Sequence, residues 1–178
     1  MWRQVTLALV LGALSGCGGA RAPGEPSVQQ VAPPDFELST VDGHSERLSE
    51  HLGKEVVLLD FWATFCEPCL AGMPNLDRLY RKHRGQGFVV LGIAIDGPDS
   101  VAQVKTAVKK LGVSFPILLD QETRVVAQYN PKSSAPYSVL IGRDGRILKK
   151  QEGYSTGSGD ALERDIDAAL AAQTAQTN

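Results

Sequence analysis

Val56-Val57-Leu58-Leu59-Asp60-Phe61-Trp62-Ala63-Thr64-Phe65-Cys66-Glu67-Pro68-Cys69 is the stretch on which the fold turns. Its opening, Val56 to Phe61, is a compact apolar run of the length expected for a strand buried on both faces. Beyond the two cysteines, Leu70, Met73, Leu76, Leu79 and Tyr80 recur at helical spacing to about Lys82, with Pro74 predicting a kink. A buried strand thus feeds a helix whose first turn carries both thiols. Cys66 falls at or beside the helix N-cap, where unsatisfied N–H groups and the positive end of the helix dipole favour a thiolate. That lowers its pKa below the free value of about 8.5 and supplies a nucleophile near neutral pH. Cys69 lies one turn in, on the same side and within disulfide reach. Pro68 suits the first turn, where a missing N–H costs little, whereas the Glu67 carboxylate opposes ionisation of its neighbour.

Working outward, Phe88 to Ile95 reads as a second buried strand, and Val101, Val104, Val108 and Leu111 mark a helix ended by Gly112. Pro116 to Leu119 is a short extended piece and Thr123 to Tyr129 a short helix. Tyr137 to Ile141 and Ile147 to Glu152 flank Asp144-Gly145, the turn of a hairpin. Ala161, Leu162, Ile166, Ala169 and Leu170 belong to a last helix. Upstream, Asp35 to Leu38 alternates as a short strand, and Val41 to His44 carries a turn. A βαβ unit needs parallel strands, while the Asp-Gly hairpin forces an antiparallel pair. The expectation is an α/β fold, a mixed central sheet flanked by helices on both faces.

Before this domain, Val5 to Leu14 is almost wholly apolar after a start carrying Arg3. A run this short cannot span a hydrocarbon core, which needs about 20 apolar residues, but it suits the core of an export signal. Leu14-Ser15-Gly16-Cys17 resembles the lipobox of bacterial lipoproteins, which implies cleavage before Cys17 and lipidation of its thiol. Several acyl chains give stable anchoring where one is marginal. The segment after Cys17 up to Pro34 is rich in Gly, Pro and Gln and reads as a flexible linker. The expected organisation is a signal peptide over 1–16, a lipidated Cys17 with a linker over 17–34, a domain over 35–172 and a disordered tail over 173–178.

Composition narrows the function. The 178 residues are 43% hydrophobic and 21% charged, as in a soluble globular domain. A net charge of −2 and the lack of a basic, aromatic-rich cluster argue against nucleic acid as a partner. Three cysteines are too few for a disulfide-built scaffold, so the close pair reads as chemistry. A structural zinc site normally takes four Cys/His ligands, and no second pair is present. His44, His51 and His83 share no ligand spacing, and His83, among Arg81, Lys82 and Arg84, reads as part of a solvated helix end. No metal is expected, and no cofactor beyond a redox-active Cys66–Cys69 disulfide.

Asp60 through Cys69 resembles the active-site motif of the thioredoxin superfamily. Asp35-Phe36-Glu37-Leu38, Asp42-Gly43 and Gly53-Lys54 are similar to the TlpA/ResA-like extracytoplasmic branch, and the likeness runs from about Asp35 to about Leu170. The resemblance implies a thioredoxin-like fold and catalysis by Cys66, Cys69 and Asp60, with Asp60 as proton acceptor for the second cysteine. A carboxylate at the end of an apolar strand has a raised pKa, which suits a base working near neutrality. It also implies that Trp62 packs beside the disulfide and, with Ala135 and Pro136, belongs to the substrate-binding residues. Pro136 matches the family's cis-proline, which would bring its loop against Cys66 and offer the Ala135 backbone to an extended client. Two positions depart from the pattern: Phe65 stands where Trp is usual, and Gly72 replaces a frequent Glu; the further acid that some members carry after the third strand could be either Asp96 or Asp99.

The expected function is that of a membrane-tethered thiol–disulfide oxidoreductase, a monomer on the periplasmic side of a bacterial membrane. It would reduce disulfides of exported proteins, for example during cytochrome c maturation, with electrons from a transmembrane donor. Two other readings stay open. A thiol peroxidase shares the fold and the Asp-Phe-x-Leu opening, but Thr64 lies two before Cys66 without the Pro-x-x-x-Thr-x-x-Cys context. A copper-delivery module would want a wider cysteine spacing and a His between residues 130 and 150, where there is none.

Overall fold

The computed structural model describes residues 32–154 and 157–172. The expected signal peptide over 1–16, Cys17, most of the expected linker and the expected 173–178 tail lie outside the described residues.

Among the described residues, seven strands and four α-helices follow one another: β1 (Glu37–Ser39), β2 (Ser45–Arg47), β3 (Val56–Trp62), α1 (Glu67–His83), β4 (Phe88–Ala94), α2 (Val101–Leu111), β5 (Ile117–Leu119), α3 (Arg124–Tyr129), β6 (Tyr137–Ile141), β7 (Ile147–Glu152) and α4 (Ser158–Ala171). The main sheet has the order β5-β4-β3-β6-β7. β3, β4 and β5 are parallel, and β6 and β7 add antiparallel pairs on the other edge. This is the mixed sheet expected. Every residue of β3 and β4 is buried, as central strands covered on both faces must be.

The strand pleat divides the core into two layers. Val56, Leu58 and Trp62 of β3 join Phe88 and Val90 of β4 beneath α1 and α4, and both cysteines belong to this layer. Val57, Leu59 and Phe61 face the other way, onto Val125, Val126 and Tyr129 of α3 with Phe36 and Leu48. Coverage of the second face is therefore partly non-helical: one six-residue helix shares it with the N-terminal hairpin.

That hairpin differs from expectation. β1 begins two residues later than expected because Asp35 accepts a hydrogen bond from the Ser49 N–H (2.9 Å). β2, unforeseen, pairs antiparallel with β1 across the turn closed by Gly43 N–H to Thr40 C=O (3.0 Å). Pro74 does not interrupt α1, which runs continuously from Glu67 to His83. Its ring is on the exposed side, where the Leu70 carbonyl left without its helical donor can be hydrated. His83 is a correction: it is 1% exposed, its ring edge-on to Phe88, and not on a solvated helix end.

Candidate active site

β3 ends at Trp62, and four residues later the chain enters α1. Cys66 is the N-cap of that helix, in an extended conformation, and its Sγ accepts the Cys69 N–H at 3.3 Å. Pro68 occupies the first turn, where its missing N–H would have had no intrahelical partner. The pair is joined as a disulfide with Cα atoms 5.2 Å apart. Cys66 is 7% exposed and Cys69 2%, so a client reaches the first sulfur before the second.

The loop leading into Cys66 is held from β4. Asp96, just beyond that strand and 5% exposed, accepts the Thr64 N–H with both carboxylate oxygens (3.2 and 3.1 Å) and also the Thr64 hydroxyl. Asp99 is exposed, so the two acids left open by the sequence are now distinguished. Asp96 secures the loop through Thr64.

Asp60 is 2% exposed. Strand alternation puts it on the face of Leu58 and Trp62, the layer that contains Cys69. Its neighbours across the sheet are Gly92 on β4 and Ser138 on β6; the place a Cβ on Gly92 would take is filled by the Ile117 and Phe115 side chains. Burial pushes its pKa up to about 6, opposed in part by a hydrogen bond from Tyr154 Oη at 2.6 Å. Tyr154 went unrecognised in the sequence. Its ring packs on Gly72, where an added Cβ would lie 3.0 Å from Tyr154 Cε2. The one signal available was Gly72 itself, a hole in an otherwise side-chain-covered helix.

Trp62 requires a correction. It is 0% exposed within the cysteine layer, so it supports the pair from behind and offers no surface to a substrate. Among the described residues the exposed aromatic is Phe65, 79% accessible immediately before Cys66.

The Ala135–Pro136 peptide is cis. Asn130, 3% exposed, shapes the approach to it by donating to the Ser134 C=O (2.9 Å) and Ser134 Oγ (3.0 Å) and accepting the Lys132 N–H (3.2 Å). Pro136 is buried and Ala135 partly buried against the cysteine layer. Among the described residues, no hydrogen bond occupies the N–H or C=O of Ala135. A partly exposed backbone pair of this kind can receive an extended segment of another chain. Glu67 is exposed at the first position of α1, and no group of three or more His, Cys, Asp or Glu among the described residues could hold a metal ion.

Comparison with known proteins agrees with this geometry. Residues 28–150 match the AhpC/TSA family. Thiol-disulfide oxidoreductase ResA of Geobacillus kaustophilus is 34% identical over 134 residues, 75% of this chain and 74% of that protein. A Chlorobium tepidum structure assigned as thiol:disulfide interchange protein DsbE is 31% identical, with a TM-score of 0.72 over 78% of this chain and 95% of the other. The exposed lipoprotein thioredoxin of Streptococcus pneumoniae is 29% identical, with a TM-score of 0.64 over 76% and 99%.

Proposed function

We propose that this chain, which belongs to the AhpC/TSA family and is a thiol–disulfide oxidoreductase of thioredoxin-like fold, serves as a lipid-tethered reductase of exported proteins. The observation that carries the direction of electron flow is the buried Asp60 on the Cys69 face of β3. A base there serves the step in which a reductase resolves its own mixed disulfide.

The reaction follows from the asymmetry of the pair. Cys66 thiolate, stabilised at the start of α1, attacks one sulfur of a client disulfide; that bond breaks and the other client sulfur leaves as a thiolate. The client segment lies along Ala135, held by its backbone N–H and C=O beside the Pro136 turn. Cys69 then gives its proton to Asp60 and attacks Cys66 Sγ, releasing the second client sulfur and leaving the Cys66–Cys69 disulfide. No resident cofactor is invoked, because the electron pair is stored in the two thiols. A thiol-reducing donor must restore them, and a transmembrane electron carrier fits a protein outside the cytoplasm.

The location rests on the Leu14-Ser15-Gly16-Cys17 lipobox and the apolar run before it. A similar solved structure described as an exposed lipoprotein thioredoxin supports it. No helix among the described residues is long and apolar enough to cross a membrane. Anchoring in this reading is by acylated Cys17. Exported apocytochromes, whose thiols must be free for haem attachment, are one client class that suits such a reductase.

A Cys69→Ala variant of the full chain should accumulate mixed disulfides between Cys66 and exported proteins, identified by mass spectrometry. The dithiol/disulfide midpoint should be more reducing than about −200 mV. A midpoint near about −120 mV, or no trapped exported protein, would sink the reductase reading. Peroxide consumption that needs Cys66 alone would indicate the peroxidase instead, and stoichiometric retention of Cu(I) the copper carrier.

A further inference from the structure

The ring of Tyr154 and the backbone of Gly72 make a contact that a larger residue on α1 would crowd. The ring is thereby seated over the first turns of α1, with its hydroxyl on Asp60 Oδ1, 94 residues back along the chain. Tyr154 is the only hydrogen-bond partner of the Asp60 carboxyl group among the described residues. On its other side Tyr154 is partly exposed and lines a cleft of about 320 Å³ between α1, the end of β7 and the start of α4.

We propose that Tyr154 is the positioning residue for Asp60 and the relay through which its proton exchanges with solvent in that cleft. This rests on the reading of Asp60 as the base for Cys69.

The geometry gives the relay a defined sequence. With Asp60 ionised, Tyr154 donates to Oδ1. When Cys69 has passed its proton to Asp60, the carboxyl O–H donates to Tyr154 Oη, and the phenolic proton leaves into the cleft as the carboxyl proton arrives. Rotation of the hydroxyl restores the starting arrangement. Asp60 is again a carboxylate, Tyr154 is neutral throughout, and one proton has moved to solvent. The transfer is concerted because burial and the neighbouring carboxylate hold the phenol well above its ordinary ionisation range. During re-reduction of the disulfide the same path runs inward.

Among the described residues, no charged side chain lines this cleft to compete for the proton. α1 contributes Asn75, β6 Ser138, β7 Gln151 and α4 Ser158, all neutral, and Gly92 of β4 adds no side chain beside Asp60. Burial and the Tyr154 hydroxyl are the two influences on Asp60, with no ion pair among them.

Tyr154→Phe keeps the ring on Gly72 and removes only the hydroxyl. Reduced full-length chain is mixed with a fluorescent peptide disulfide, and the rate of mixed-disulfide resolution is followed from pH 5 to 9. Tyr154→Phe should slow resolution by about tenfold or more and move the profile's acidic limb upward, with the unfolding midpoint little changed. Tyr154→Ala, which opens the cleft onto Asp60, should also be slow but recover with increasing imidazole, whereas Tyr154→Phe should not. Parent-like rate and profile in Tyr154→Phe, with Asp60→Asn slow, would overturn the relay alone. An unaltered profile in Asp60→Asn would overturn the role of Asp60 as base and the relay with it.

Discussion

Asp96 grips Thr64 at two points, backbone N–H and side-chain hydroxyl, from 32 residues further along the chain. The strand after α1 thereby fixes the turn that aims Cys66. Asp96→Ala leaves the Thr64 N–H without its partner and should lower the stability of the oxidised protein by about 1–3 kcal/mol. Asp99→Ala, at an exposed position, should stay within about 0.5 kcal/mol of the parent. Urea unfolding of the two variants checks this, and equal midpoints would refute the grip.

Asp60 makes stability depend on pH in a direction opposite to that of a salt-bridged acid. Its folded pKa of about 6 lies above the ordinary 3.8, so folding takes up a proton between those values. Stability conferred by the protonated form is present at low pH and falls as pH rises through about 4 to 6. Asp60→Asn is neutral in both states and can still accept from Tyr154. It should match the parent near pH 4 and exceed it by roughly 2–3 kcal/mol at pH 7.5. Denaturant titrations at both pH values test the sign, and a parent–variant difference independent of pH would contradict it.

Phe65 exposes a large apolar ring beside the attacking sulfur. Its removal in Phe65→Ala should raise KM for a protein client several-fold, corresponding to about 1 kcal/mol of lost contact. The rate with a small disulfide such as oxidised glutathione should hardly change. Equal effects on both substrates would show that the ring supports the loop and makes no client contact.

Among the described residues neither ring nitrogen of His83 has a hydrogen-bond partner, and Asp167 Oδ1, 3.6 Å from Nε2, is within ion-pair range only of a protonated ring. Replacing a buried, uncharged polar group that lacks hydrogen-bond partners by an apolar one of similar volume is favourable. His83→Leu should stabilise the fold by about 1 kcal/mol at pH 8, seen as a higher urea midpoint, and a loss of stability would reveal a partner for the ring.

The central strands were legible because a strand buried on both faces is written as an unbroken apolar run, and Val56 to Phe61 and Phe88 to Ile95 are such runs. The Asp144-Gly145 hairpin was legible for a local reason: Gly145 adopts φ 77° and Asp144 caps the turn by accepting the Arg146 N–H at 3.0 Å. β2 was not, since Ser45-Glu46-Arg47 is wholly polar and its strand character comes only from pairing with Glu37–Ser39. His83 was misplaced by its basic neighbours, although its spacing from Leu76 and Leu79 keeps it on the buried side of α1. Of the active site, the cysteines, Asp60 and Pro136 could be named from the motif and its resemblance. Tyr154, Asn130 and the Thr64–Asp96 grip could not, because they depend on where distant segments meet.

The two core layers have a thermodynamic consequence. The oxidised and reduced proteins differ in free energy of unfolding by an amount tied, through a closed cycle, to the difference between the folded and unfolded midpoint potentials. Both sulfurs belong to the layer under α1 and α4, and the sheet stands between them and the layer under α3. A cavity cut into the far layer, at Val126 or Tyr129, weakens both redox forms alike and leaves the potential where it was. A cavity at Met73 or Leu76 touches the forms unequally and moves it. The sheet thus works as a partition, on one side of which the protein can vary its robustness without retuning its electron affinity.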